Sequence, residues 1–326
     1  MPLIDRYGRP VNYLRITLTH RCNYNCIYCH MEGEKLNYSH ELTPDEIEVI
    51  VKAAVKIGIN KVKFTGGEPL IRDDLLEIMN RIANIKGISD ISITTNGSIL
   101  SEIIKDLIKT GLKRMNVNLP SIREETYRKI TNSKYTPEKI IDGINEAKRC
   151  GMKIIKVNMV VLKGINDDEI NELIEFTKKN GLILQLIELE NVGIKEEVFL
   201  RYHLDLSTIE DELKKKTEKI IVRKNMQNRR KYILREGGEV EVIRPYENGS
   251  FCKACTRIRL TVDGMLKPCL MRNDNLINLR EAVEKKLGVK EIMNYFMKAI
   301  EVREPYWRVV NTPLKCFTLD TITMDL

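Results

Sequence analysis

Aromatic residues make up only 6% of this 326-residue chain, with a single tryptophan, Trp307. The basic residues therefore lack the interleaved aromatics of a base-stacking platform, which argues against a single-strand nucleic-acid binder. Histidine is as scarce: His20, His30, His40 and His203 are the only four. No apolar run reaches membrane-spanning length, and the best candidate, 154–162, is broken by Lys156 and Asn158. Met1-Pro-Leu-Ile-Asp-Arg is charged at once and no apolar stretch of a leader follows, so a cytoplasmic protein is expected. In a reducing cytosol clustered cysteines argue for metal rather than disulfides. Repeats and low-complexity segments are absent as well.

What is present is a charged chain with enough apolar residues, 43%, for a sizeable core. Its length suits one barrel-type domain plus a smaller appendage, or two ordinary domains. The net charge of +8 suits an anionic ligand, a nucleoside triphosphate or a nucleic acid, and equally a Lys/Ile/Glu-rich surface of the thermophile kind.

The most informative stretch is Cys22-Asn-Tyr-Asn-Cys26-Ile-Tyr28-Cys29, directly after Tyr13-Leu14-Arg15-Ile16-Thr17-Leu18. Alternation in the latter predicts a strand, with the cysteines on the loop at its C-terminal end. Three thiolates can hold three irons of a cubane cluster and leave the fourth open. Zinc, with four ligands or three and an open position, and a redox disulfide are the other readings.

Downstream, Thr43, Pro44 and Glu46 form the capping signature of a helix running to about residue 57. Strands are predicted at 61–65, 91–96, 114–119, 154–162 and 183–190. Helices are predicted at 73–85, from 97 to near 111, and at 123–130, 137–150 and 167–180. Six strands alternating with helices imply a parallel sheet in an open, partial TIM-like (β/α)6 barrel. Functional residues of such folds gather at the C-terminal strand ends. The cysteine loop, Gly66-Gly67-Glu68-Pro69, Thr94–Asn96, Asn118 and 188–190 all fall there. After about residue 200 the pattern changes to α+β: a helix at 207–217, strands at 220–223, 231–234 and 240–243, a hairpin of 257–262 with 265–270 on Asp263-Gly264, and helices at 279–287 and 290–300. The expected division is 1–200 and 201–326.

That later part carries a second triad, Cys252, Cys255 and Cys269, spaced C-x2-C-x13-C. Alone it reads as a zinc knuckle. Yet no histidine follows Cys255, and Cys316 is the only later cysteine. Three ligands again suit a cluster with one open iron.

The two triads in this order, with Gly66-Gly67-Glu68-Pro69 between them and Phe251-Cys-x-x-Cys-x-Arg257-x-Arg259-Leu-Thr-x-Asp-Gly behind, resemble the GTP 3′,8-cyclases of molybdopterin biosynthesis. These are radical S-adenosylmethionine (SAM) enzymes. Asp5-Arg-Tyr-Gly-Arg-Pro and Cys29-His30-Met-Glu-Gly resemble the archaeal branch, and the resemblance covers nearly the whole chain. It implies two [4Fe–4S] clusters, at Cys22, Cys26 and Cys29 and at Cys252, Cys255 and Cys269, with SAM on the open iron of the first. It further implies that cleavage of SAM gives a 5′-deoxyadenosyl radical, which takes the C3′ hydrogen of GTP. The sugar radical then adds to C8, giving (8S)-3′,8-cyclo-7,8-dihydroguanosine 5′-triphosphate, while the second cluster holds the guanine.

By the same resemblance Tyr28 and Gly67 contact SAM, Glu68 sits in the SAM-binding loop, and Asn118 and Glu190 lie at SAM-side positions. Arg15, Arg257 and Arg259 form the catalytic, GTP-facing arginine set, with Lys63, Thr94 and Lys156 as further GTP contacts. Arginine forks pair bidentately with phosphate, and residues two apart on a strand share a face, which suits Arg257 and Arg259. The implied partners are GTP, an electron donor such as a ferredoxin or flavodoxin, and a downstream cyclic pyranopterin monophosphate synthase. Neither a membrane nor nucleic acid is expected, and a homodimer is left open.

The chain departs from the family pattern at several places. Lys63, Asn118, Gln185 and Glu190 stand where arginine, serine, arginine and methionine are common. Leu119-Pro120-Ser121-Ile122 replaces an Asp-Ser-Leu-Asp pattern, and Met324-Asp325-Leu326 ends the chain in place of Gly-Gly. A radical SAM enzyme with an auxiliary cluster acting on a peptide or another small molecule is the alternative; a zinc nucleic-acid module is the third reading. Cys150 and Cys316 are expected to be small buried apolar residues. His30 is expected to be a surface flank of the cysteine loop, and Trp307, with Pro305 and Tyr306, to pack the tail.

Overall fold

The computed structural model describes residues 2–34 and 41–308. Six parallel strands form its centre: β1 (Tyr13–Thr17), β2 (Lys61–Thr65), β3 (Asp90–Thr95), β4 (Arg114–Asn118), β5 (Ile155–Val161) and β6 (Ile183–Glu188). They pair in sequence order. Between them run helices α1 (Pro44–Lys56), α2 (Leu75–Ala83), α3 (Leu100–Lys109), α4 (Glu124–Thr131), α5 (Pro137–Arg149) and α6 (Ile170–Lys179). The α1 start is the capping box expected: the Glu46 amide donates to Thr43 Oγ1 at 3.3 Å and the Thr43 amide to Glu46 Oε2 at 2.7 Å.

The strands after residue 200 build no separate sheet. β7 (Thr217–Arg223), β8 (Arg229–Leu234) and β9 (Glu239–Ile243) form a meander whose β9 joins β6 in parallel. At the other flank β10 (Arg257–Leu260) pairs in parallel with β1, followed by β11 (Met265–Lys267) and the two-residue β12 (Ile277–Asn278). Among the described residues one sheet of twelve strands results, in the order β12-β11-β10-β1-β2-β3-β4-β5-β6-β9-β8-β7. The helices Glu196–Tyr202 and Gly249–Lys253 carry little periodicity and have no counterpart in the sequence reading.

Alternation along the strands sorts side chains between two faces. Leu14, Ile16, Val62, Phe64, Ile93, Met115, Val117, Val157, Leu184 and Leu186 are fully buried in the core. The intervening positions are polar and stand in register across neighbouring strands: Arg259 beside Arg15, Arg15 beside Lys63, Asn116 beside Lys156, Asn158 beside Gln185, Gln185 beside Glu241. A closed barrel fills its interior with branched apolar side chains; this interior is polar, so its natural filling is a polar ligand. Among the described residues no helix is long and apolar enough to cross a membrane.

Candidate active site

Both cysteine triads open on one cavity at the C-terminal ends of the strands. All six thiols are free of disulfides. The first triad is set by backbone. Gly67 N donates to Thr19 O at 2.7 Å and Glu68 N to Arg21 O at 2.9 Å, so the glycine loop lies directly against the chain entering the cysteine loop. A Cβ on Gly67 would overlap the Arg21 carbonyl, and one on Gly66 would come 2.5 Å from Thr19 O. Asn96 Nδ2 reaches Cys22 Sγ at 3.9 Å and Asn23 Oδ1 at 2.8 Å. Burial raises the thiol pKa of Cys22, Cys26 and Cys29.

Side-chain charge sets the second triad. Asp5 is buried and bridges Arg9 (Nε at 2.8 Å) and Arg303 (Nη1 at 2.6 Å). Arg9 Nη1 then donates to the Cys252 carbonyl at 3.2 Å, and Arg303 Nη2 to the Cys255 carbonyl. Burial alone would raise the Cys255 thiol, but Arg303, Arg9 and Arg257 draw it down to about 6. Burial takes Cys252 up to about 11. A thiol drawn toward thiolate is what a metal ligand requires.

Tyr28, Gly67, Asn118 and Glu190 also line the cavity. Asn118 Oδ1 accepts from Asn158 at 3.2 Å, and Glu190 Oε2 is buried without a hydrogen-bond partner. Glu68 sits beneath the cavity rather than in it. Fully buried, it accepts from Thr95 Oγ1 at 2.6 Å, Asn96 N at 2.5 Å and Leu70 N at 3.0 Å, pinning the glycine loop to the end of β3.

Arg15, Lys63, Thr94, Lys156, Arg257 and Arg259 all line the same cavity. Thr94 Oγ1 and the Nε atoms of Arg15 and Arg259 are buried and make no hydrogen bond. Burial, then Arg15, Arg114 and Arg257, press the Lys63 ammonium well below its ordinary value. Lys63 donates to Asn116 Oδ1 at 3.0 Å, Asn116 to Gln185 Oε1 at 2.6 Å, and Gln185 to Glu241 Oε2 at 2.5 Å. Glu241 also takes Lys156 at 2.6 Å and Arg223 at 2.5 Å. Gln185 is thus a neutral link between amide and carboxylate.

Sequence reasoning missed three contributors. Glu32 faces Arg15 at 3.4 Å and Arg259 at 3.8 Å; burial would raise its carboxyl, but Arg15, His30 and Arg259 take it down to about 2. Arg229, from β8, enters the cavity across the sheet from Arg257. Trp307, expected only to pack the tail, lines the cavity and meets Tyr246 edge-on at 5.5 Å. Glu32 lay within the quoted Cys29-His30-Met-Glu-Gly stretch, so its signal was available; Arg229 sits in a run of surface-like cations and had none. Cys316 and the Met324-Asp325-Leu326 end lie outside the described residues.

The donor sets match a cubane with one open iron in ligand count, while among the described residues no group of His, Cys, Asp or Glu is gathered closely enough for a single metal ion. Three free thiols per half-site face one space, and the carboxylate, hydroxyl and guanidinium atoms left unpartnered there await polar contacts. The family model "Radical SAM superfamily" matches residues 16–177, and "Molybdenum Cofactor Synthesis C" matches 182–309. The chain is 44% identical over 308 residues to a probable GTP 3′,8-cyclase of Methanothermobacter thermautotrophicus, covering 94% of this chain and 99% of the relative. It is 45% identical over 311 residues to that of Thermococcus kodakarensis, covering 94% and 100%. Among solved structures, Streptococcus suis SuiB bound to S-adenosylmethionine has a similar fold, with TM-score 0.63 and 18% identity over 87% of this chain and 68% of SuiB.

Proposed function

The chain belongs to the GTP 3′,8-cyclase family of radical SAM enzymes, and we propose that it converts GTP to the 3′,8-cyclised dihydroguanosine triphosphate of molybdenum or tungsten cofactor synthesis in one cavity between two [4Fe–4S] clusters. SAM and the first cluster belong to Cys22, Cys26 and Cys29, and a second cluster to Cys252, Cys255 and Cys269. The observation that carries this reading is that both triads open on one cavity whose far wall presents buried cations to it. A catalytic metal knuckle or a peptide groove has no need of such a wall.

The cofactors, when bound, supply one-electron reductive chemistry; the chain's part is placement. Gly67 holds the loop close enough for backbone to approach SAM, with Tyr28, Asn118 and Glu190 beside it. Arg15 and Arg259 stand ready for phosphate or base edges, oriented by Glu32 until substrate arrives. Lys63, Lys156, Thr94 and Arg257 complete the substrate wall. Trp307 and Phe251 close part of the rim, which limits water near the reacting atoms. The labour divides near residue 200: the barrel strands serve SAM and the later segment serves the second cluster.

We place the protein in the cytoplasm, drawing electrons from a ferredoxin or flavodoxin and handing its product to a cyclic pyranopterin monophosphate synthase; a homodimer is compatible with this. The test is anaerobic incubation of cluster-loaded protein with GTP, SAM and reductant. GTP should be consumed as methionine and 5′-deoxyadenosine appear, with about eight irons per chain, the sum of two cubanes. SAM cleavage with intact clusters and untouched GTP would instead assign the chain to another substrate.

A further inference from the structure

The cavity holds more positive charge than its own carboxylates answer. Arg15 and Arg259 share Glu32, Arg114 is tied to Asp90 at 2.5 Å, and Lys156 to Glu241 at 2.6 Å. Among the described residues, Lys63, Arg257 and Arg229 line the cavity without any carboxylate at ion-pair distance. Lys63 and Arg257 come from β2 and β10, the two strands flanking β1. Arg229 comes from β8, near the opposite end of the sheet, and curvature brings it to the same space.

The Arg229 side chain is held but not saturated. Its guanidinium lies over the Phe251 ring at 5.7 Å, and Nη2 donates to Gln227 Oε1 at 2.7 Å. Its Nε is buried with no partner. One part of the fork is therefore fixed by protein and another is left for an acceptor. Its charge also adds to the lowering of Lys63 and Arg257, so the three cations act on one another. Buried like charges in mutual range are unfavourable until a polyanion joins them.

Strand β6 lines this side of the cavity with Gln185 and carries no cation. Gln185 of β6 spends its amide on Asn116 and Glu241, and Glu241 of β9 holds Lys156 and Arg223. We propose that Arg229 binds the phosphate tail of the substrate, so that the β7–β8 hairpin, rather than β6, supplies the phosphate contact on this flank. This rests on the reading of GTP as substrate.

Calorimetry on the anaerobic, cluster-loaded protein with GTP, GMP and guanosine tests it. Arg229→Ala should weaken GTP about ten- to a hundredfold, the range for losing a charge-assisted hydrogen bond from a buried site, and leave guanosine unchanged. Arg229→Lys, which keeps charge but not the fork, should fall between. Parent-like GTP affinity in Arg229→Ala overturns the assignment, as does equal loss of GTP and guanosine in both variants. Should the alanine variant not fold, parent-like affinity in Arg229→Lys and Arg229→Gln overturns it. A parent protein that binds guanosine as well as GTP overturns the substrate reading, and this inference with it; a parent that prefers GTP beside an unaffected Arg229→Ala overturns this inference alone.

Discussion

The two cysteine triads have the same ligand count and opposite construction. Around Cys22, Cys26 and Cys29 the framing is main chain: glycine amides on the Thr19 and Arg21 carbonyls, with Glu68 pinned underneath. Around Cys252, Cys255 and Cys269 the framing is ionic, with Asp5 bridging two arginines whose forks end on the carbonyls of Cys252 and Cys255. The thiols differ accordingly. Burial raises all three in the first half and Cys252 and Cys269 in the second, where cations pull Cys255 alone down to about 6. A backbone frame suits a ligand that binds the same way in every family member, because it depends on few side chains. An ionic frame sets local charge, and a cluster beside an anionic substrate is stabilised by the added positive field.

If the halves are that distinct, losing a ligand from each should fail differently. Cys29→Ser should abolish SAM cleavage, with methionine and 5′-deoxyadenosine falling to background. Cys255→Ser should leave reductive SAM cleavage measurable while GTP consumption falls to background. Product analysis by chromatography separates the two, and identical failure of both variants would break the comparison.

The frames themselves come next. Asp5→Asn leaves Arg9 and Arg303 buried without their counter-charge, which should cost about 3–5 kcal/mol in denaturant unfolding. It should lower iron from about eight to about four per chain, since only the second cubane depends on it. Gly67→Ala forces a Cβ onto the Arg21 carbonyl. The loop must shift, at about 1–3 kcal/mol, as for other overpacked sites, and SAM affinity should fall while the second cluster stays.

The first half was far more legible in the sequence than the second. Cys22–Cys29, Gly66–Gly67 and the strand before them form contiguous motifs, and alternating β and α elements place motifs of that kind at one sheet end. The substrate wall was legible where cations sat in strands that read as barrel, as with Lys63 and Lys156, or beside cysteines, as with Arg257 and Arg259. Arg229, Arg303 and Asp5 reach their places only through tertiary contact: Arg303 meets Asp5 across almost the full chain. No local period or spacing encodes that. The later strands other than β12 were found, but their attachment to both flanks of the barrel sheet was not, because partners as distant in sequence as Ile183 and Glu239, or Tyr13 and Arg257, leave no mark on either strand.

The finest distinction lies in how each half answers pH. Burial, against the pull of Glu241, brings Lys156 down to about 7, from 10.5. Below pH 7 its ammonium is charged and can meet phosphate; above it the free protein holds the neutral amine. A bound polyanion favours the charged form, so GTP binding above pH 7 must take up a proton. Affinity for GTP should then decline as pH rises from 7, by at most about tenfold per unit for one proton. Stability runs the other way. Between about 7 and 10.5 the unfolded chain binds the proton that the folded chain lacks, so this lysine's contribution rises with pH, by up to about 1.4 kcal/mol per unit. Calorimetry of GTP in buffers of different ionisation enthalpy reads the proton directly. Lys156→Gln should flatten both slopes by this lysine's share, leaving that of Lys63, whose ammonium is lowered too, and since Glu241 keeps Arg223 as partner, the fold should tolerate it. SAM binding measured in parallel should keep the parent profile in that variant. A pH slope for SAM that vanishes with Lys156 would mean the two halves share their charge, and the contrast between backbone and ionic construction would end at the cysteines.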